Sequence, residues 1–143
     1  MFGNYECVKE KIVKAQNNDE LKKILIDDRE GKRYLGADCI NYNYKKEVNL
    51  LDAVKKLMED VERRLRVLEI KAADNLNDSS LHTDDIELVS EKRTNINRGI
   101  RMLVLEKWPI DEIKRLLKNR DEMDTRFDEL NNKTVEYRRA MED

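Results

Sequence analysis

The chain has 143 residues, of which 42 % are charged and 39 % hydrophobic, and its net charge at pH 7 is −2. This length predicts one domain, or one domain with an appendage. The near balance of charge argues against a dedicated polyanion-binding protein, and the regular apolar patterning argues against a disordered chain.

Few residues of the chain suit a cofactor, a metal or a membrane. Cys7, Cys39 and His82 are too few ligands for a structural zinc site. No apolar run approaches the about 18 residues of a membrane span, and the N-terminus lacks the pattern of a signal peptide. We therefore expect a cytoplasmic protein with no cofactor, no metal and no membrane contact.

Residues 1–47 form the irregular part of the sequence and are predicted to be an N-terminal appendage. Residues 5–15 have helical spacing, and Asn18 or Asp19 is expected to cap a second short helix. The acidic stretch 27–31 predicts a turn. Aromatic residues around Gly36 then favour a small β-hairpin or an extended loop over 32–44.

Basic and aromatic residues alternate within this appendage. Such a mixture can hold phosphates and stack bases, which makes these residues candidates for partner or nucleic-acid contact. The tyrosines can equally pack the appendage onto the rest of the chain, and acidic residues surround them. The candidate contact residues are Lys32, Arg33, Tyr34, Tyr42, Tyr44, Lys45 and Lys46.

Residues 48–143 repeat apolar positions spaced alternately three and four apart, which predicts helices that pack along one stripe. We expect helices at about 48–76, 84–107 and 109–141, with Thr83 as the cap of the second and Pro109 at the start of the third. The fold class is therefore mainly α, an elongated antiparallel three-helix bundle. The stripes are Leu51, Val54, Met58, Val61, Leu65, Leu68 and Ala72; Ile86, Val89, Arg93, Ile96, Ile100 and Leu103; and Ile113, Leu116, Arg120, Met123, Phe127, Leu130, Thr134, Tyr137 and Met141.

The third helix is expected to outrun its two partners, because it is the longest of the three. Apolar residues left uncovered at its end would need another surface. Homodimerisation through this tip is one solution, and fraying of the helix is the other. The tip residues are Val135, Tyr137, Ala140 and Met141.

Arg93 and Arg120 occupy stripe positions that would otherwise be apolar. Buried guanidinium groups need carboxylate partners, which Asp60 or Glu62 on the first long helix could supply. We interpret the two arginines as a polar layer that fixes the register of the helices. A paired anion site between helices is the alternative.

Two acidic motifs resemble the metal-binding carboxylates of MazG-type all-α nucleotide pyrophosphatases. Glu59 and Glu62 match the ExxE of that family, whereas Asp84 and Glu87 read DxxE in place of ExxD. The resemblance implies Mg²⁺-dependent nucleotide hydrolysis. Solvated helix-face charges explain the same residues without chemistry.

Residues 108–117, followed by a long heptad helix, resemble the end of MerR-type regulators, in which a short helix precedes the dimerisation helix. The winged helix-turn-helix of that family is not found upstream. The first functional hypothesis is a non-enzymatic helical interaction protein, an accessory or regulatory factor with a protein partner. The alternatives are a DNA-associated transcriptional regulator that dimerises through its last helix, and the nucleotide pyrophosphatase.

Overall fold

A computed structural model of the chain describes residues 5–36, 49–74 and 83–142, with the side chains of 73–74, 83–85 and 133–142 excepted. All regular structure in these residues is helical. The helices are α1 (Glu6–Lys14), α2 (Asn18–Lys22), α3 (Arg29–Leu35), α4 (Leu50–Asp74), α5 (Thr83–Leu105) and α6 (Ile110–Glu142), and a π-helical segment, Lys23–Asp27, continues α2. No helix in the described ranges is long and apolar enough to cross a membrane.

Each of the three long helices packs against the other two along its predicted stripe. Val61 of α4, Ile100 of α5 and Ile113 of α6 are completely buried, as the spacing predicts. Contacts on α5 and α6 run in opposite directions, since Arg93 meets Asp124 and Asn97 meets Arg120. The apolar stripes therefore form the core.

The short N-terminal helices share this core. Val8, Leu25 and Leu35 belong to the same cluster of buried side chains as the long helices. Two polar contacts add to the packing: Asn18 Nδ2 donates to the Trp108 carbonyl at 2.8 Å, and Lys114 Nζ donates to the carbonyls of α1's last turn. The predicted division at residue 47 falls within 37–48, outside the described residues, and stays a prediction.

Three local predictions for the N-terminal part are wrong. Asn17, one residue earlier than expected, caps α2 by accepting from the Glu20 amide at 3.0 Å. The stretch 27–31 is not a turn, because α3 begins at Arg29. Residues 32–35, placed in a hairpin or loop, continue that helix, which ends with Gly36 at a φ of 63°. The rest of the predicted hairpin lies outside the described residues.

Gly31 explains why α3 was missed. A Cβ atom at this position would lie 1.5 Å from the Ile24 carbonyl oxygen, so only glycine lets α3 approach the π-helical segment this closely. In the sequence, an acidic run that ends in glycine is typical of a turn. Here the glycine serves tertiary packing within a helix.

Candidate functional site

Arg120, one of the two arginines predicted to form a polar layer, has a side chain only 3 % exposed. Its Nη1 donates to the Tyr34 and Leu35 carbonyls at 3.0 and 3.3 Å and to Asn97 Oδ1 at 3.1 Å. The two carbonyls belong to the last turn of α3, where backbone acceptors lack helical partners and a cation is favourable. Arg120 thus attaches α3 to α5 and α6.

Carboxylates of α6 neutralise both arginines of the layer. Arg93 Nε donates to Asp124 Oδ1 at 2.7 Å, and Arg120 Nη2 donates to Asp121 Oδ1 at 3.0 Å. Asp124 Oδ2 also lies 3.8 Å from Arg120 Nε, so one carboxylate faces both cations. The Arg93 guanidinium covers the Phe127 ring at 4.5 Å.

Asp60 and Glu62 of α4, the partners expected for these arginines, bind other cations. Asp60 Oδ2 accepts from Lys92 Nζ at 2.6 Å, and this hydrogen bond lowers the pKa of the Asp60 carboxyl. Glu62 pairs with Arg66 of its own helix and with Arg126 of α6. An apolar stripe predicts which faces of two helices pack together. It does not predict which positions along the two helices lie opposite each other, and this register decides which charged side chains pair.

Tyr34, a candidate for base stacking, is 7 % exposed and has a structural role. Its ring packs edge-on against Tyr5 and beneath the Arg120 guanidinium, at centroid distances of 5.6 and 4.4 Å. Its hydroxyl donates to the Asp121 carboxylate at 2.7–2.8 Å. Burial raises the pKa of the Tyr34 hydroxyl, with a smaller opposing effect of Arg120. The Arg120 guanidinium therefore covers one face of a ring that is already almost fully buried.

The other candidate contact residues separate into two groups. Lys32 and Arg33 are exposed on α3. Tyr42, Tyr44, Lys45 and Lys46 lie outside the described residues. The proposed tip residues Val135, Tyr137, Ala140 and Met141 belong to the last turns of α6, but their side chains are not among those described, so the tip stays a prediction.

The acidic motifs give no geometric support for a metal site. Among the described side chains, no group of three or more His, Cys, Asp or Glu is arranged to hold a metal ion. Glu62 is engaged by two arginines, and the side chains of Asp84 and Asp85 are not described.

A groove between α1 and α6, here called the α1–α6 groove, has a volume of about 450 Å³. Its walls combine apolar side chains with four cations and a single carboxylate, Asp121, which already binds Arg120 and Tyr34. Val13 is 75 % exposed beside it. The lining residues are Lys9, Ile12, Val13, Tyr34, Lys114, Arg115, Leu117, Lys118 and Asp121.

A second cavity, here called the α4–α6 cleft, has a volume of about 460 Å³. Ion pairs cross it, from Lys55 to Glu112 at 3.5 Å and from Arg126 to Glu62. Its walls carry charges of both signs. They are formed by Lys55, Met58, Glu59, Glu62, Arg66, Glu112, Arg115, Leu116, Asn119, Glu122, Met123 and Arg126.

Both cavities were missed in the sequence, because each joins residues from distant parts of the chain. One available signal was the pair Lys114 and Lys118, which a four-residue spacing places on one face of a helix. Another was Val13, an apolar residue next to the buried Ile12 and off the buried face of α1. Comparison with known protein families, curated proteins and solved structures gives no match for this chain.

Proposed function

We propose that the protein is a non-enzymatic helical interaction protein, an accessory or regulatory factor of the cytoplasm, which binds an acidic segment of a protein partner in the α1–α6 groove. The observation that carries this proposal is the composition of the groove. It presents exposed apolar surface and an excess of cations on one face of the molecule.

The apolar part of the groove supplies the affinity. Val13 projects from α1 with three quarters of its surface in water, whereas Ile12 and Leu117 are buried beside it. Covering a side chain of this size contributes about 1.5–3 kcal/mol. A partner with apolar side chains on one helix face fits this surface.

The cationic rim supplies the preference for an acidic partner. Lys118 is exposed and has no carboxylate partner among the described side chains. Lys9 lies 3.8 Å from Glu6, and Arg115 lies 3.6 Å from Glu112. Exposed pairs of this kind are weak, so a carboxylate of the partner can replace them. Lys114 is different, because its Nζ is held by the Val13 and Ala15 carbonyls and keeps α1 in place.

The proposal includes the elongated antiparallel three-helix unit over 48–143 as the scaffold. The opposed contacts of α5 with α6 support it. So does the parallel order of contacts between α4 and α6, where Lys55 meets Glu112 and Glu62 meets Arg126. Side chains on helices are held in fixed relative positions, which suits a preformed binding face.

The two alternative functions have less support. A DNA-associated regulator could use the exposed Lys32 and Arg33, but it loses Tyr34 as a stacking residue. A nucleotide pyrophosphatase would need free carboxylates, and Glu62 is paired with Arg66 and Arg126. We keep the regulator as an outcome of the test below.

The test uses fluorescence anisotropy with three labelled probes: an amphipathic helical peptide with a Glu-rich polar face, its Lys-rich counterpart and a short DNA duplex. We expect the Glu-rich peptide to bind and the Lys-rich peptide not to bind. The double variant Lys9→Glu/Lys118→Glu should weaken binding at least about tenfold, because two attractive charge pairs become repulsive. The matched control is Lys22→Glu/Lys56→Glu, which changes exposed lysines outside the groove.

Equal binding of both peptides, or no binding of either, would contradict the proposal. Binding of the duplex in preference to the peptides, with log affinity falling linearly with log salt, would support the DNA-associated regulator instead.

A further inference from the structure

Five polar residues of α6 form a single line along the α4–α6 cleft. Their spacing alternates between three and four residues, so they lie on one face of the helix. All five line the cleft. They are Glu112, Arg115, Asn119, Glu122 and Arg126.

The charges along this line are antisymmetric about Asn119. Each anion on one side of Asn119 corresponds to a cation at nearly the same distance on the other side. Glu112 lies seven residues before Asn119 and Arg126 lies seven residues after it. Arg115 lies four residues before and Glu122 three residues after. An identical helix that runs antiparallel, centred on Asn119, therefore presents a cation opposite each anion and an anion opposite each cation.

We propose that the α4–α6 cleft binds α6 of a second copy of this chain, antiparallel to the first and related to it by a two-fold axis at Asn119. Such an interface is isologous, so each contact occurs twice. Arg115 meets the partner's Glu122, and Glu122 meets the partner's Arg115. Each chain thus supplies the arginine of one pair and the glutamate of the other.

The residues nearest the axis are the ones available for this contact. Glu122 is exposed and has no cationic partner among the described side chains. Arg115 is 68 % exposed and is attracted only weakly by Glu112, at 3.6 Å. Asn119 is also exposed, and its amide both donates and accepts, so two copies across the axis can satisfy each other.

The outer pair and the cleft floor complete the surface. Glu112 and Arg126 are already held by contacts to α4, which keep the cleft walls in position. Met58, Leu116 and Met123 lie below them, and methionine side chains adapt readily to an incoming surface. Because this floor is already almost fully buried within each chain, the charge pairs carry the contact and select the antiparallel orientation.

A charge-swap experiment tests this geometry by sedimentation equilibrium on the full chain, at concentrations up to about 200 µM, which detects dissociation constants in the micromolar range. The wild type is expected to form dimers. Arg115→Glu alone puts two carboxylates in contact twice per dimer, and Glu122→Arg alone does the same with two guanidinium groups. Each single variant should lose at least about tenfold in association constant.

Mixing the two single variants should restore dimers, because both contacts of the mixed dimer again join opposite charges. The double variant Arg115→Glu/Glu122→Arg should also recover the wild-type association. Glu129→Arg makes the same change at an exposed position of α6 outside the cleft, and it should leave the association unchanged. Far-ultraviolet circular dichroism checks that each variant remains helical.

Three results would overturn the proposal: a wild type that stays monomeric at the highest concentration, single variants that associate as the wild type does, or a mixture that stays monomeric. The outcome is independent of the proposed function. Arg115 lines both cavities, but Glu122 does not line the α1–α6 groove, so Glu122→Arg changes self-association without changing peptide binding.

Discussion

Arg93 of α5 and Asp124 of α6 form a hydrogen bond of 2.7 Å between Nε and Oδ1. Asp124 also faces the buried Arg120, so its loss leaves two guanidinium groups short of negative charge. We expect Asp124→Ala to lower the free energy of unfolding by about 1.5–3 kcal/mol, the range for a lost hydrogen bond to a charged group. Urea denaturation measures this difference.

The control for Asp124 is Glu129→Ala on the same helix, where the carboxylate is exposed. Surface substitutions of this kind change stability by less than about 0.5 kcal/mol. If both variants lost the same small amount, the polar layer would not contribute to stability.

The hydroxyl of Tyr34 gives the protein a dependence on alkaline pH. Because the folded-state pKa is raised, the folded chain keeps a proton that the unfolded chain releases above its ordinary tyrosine pKa of about 10. This contribution to stability is complete below that pH and is lost as the pH rises toward the folded pKa.

Tyr34→Phe is therefore expected to have two effects. At neutral pH it should cost about 1.5–3 kcal/mol, because the hydrogen bond to Asp121 is lost. Between about pH 10 and 12 its stability should fall less steeply than that of the wild type. Urea denaturation at neutral pH measures the first effect, and the same measurement repeated between about pH 10 and 12 measures the second. Tyr5→Phe, which keeps the bond between Tyr34 and Asp121, should retain the alkaline loss.

Gly31→Ala tests the close approach of α3 to the π-helical segment. The added methyl group cannot fit at 1.5 Å from the Ile24 carbonyl oxygen, so the two backbones must separate. We expect a loss of more than about 3 kcal/mol, at the upper end of overpacking effects. Thermal unfolding followed by circular dichroism measures it.

Gly36→Ala is the comparison for this variant. It places a side chain at a positive φ in a more open position, where the nearest atom, Asn97 Nδ2, would lie 3.1 Å away. About 1–2 kcal/mol is the usual cost of a left-handed conformation for alanine. An equal or smaller effect at Gly31 would contradict the prediction, because it would mean that α3 moves away from the π-helical segment at little cost.

The long helices could be predicted because their signal is repeated. Apolar positions recur over six or more turns. The start of α4, the end of α5 and the start of α6 lie within about two residues of the expected bounds, as is usual for helix ends. Val61, Ile100 and Phe127 were placed on buried stripes, and all three are buried. Burial of one apolar face contributes most to the stability of each long helix. This face is visible in the sequence as the periodic spacing of apolar residues.

The rest depends on contacts between distant residues. The sequence around Gly31 predicts a turn. The role of Gly31 in helix packing depends on the Ile24 carbonyl, which lies beside it only in the folded chain. Arg93 pairs with Asp124 instead of the expected Asp60 or Glu62, because the level at which two helices meet is not encoded in either stripe. The α1–α6 groove could not be foreseen for the same reason: Val13 and Lys118 meet only in the folded chain.

The contacts that attach the N-terminal helices have a consequence for how the protein assembles. Lys114 and Val13 are 101 positions apart, and Asn18 and Trp108 are 90 apart. Bringing such remote positions together costs chain entropy before any bond forms, whereas each long helix nucleates from its own neighbours. We therefore expect the amino-terminal helices to dock after the long helices have packed together, because their anchoring contacts require α6 to be in place.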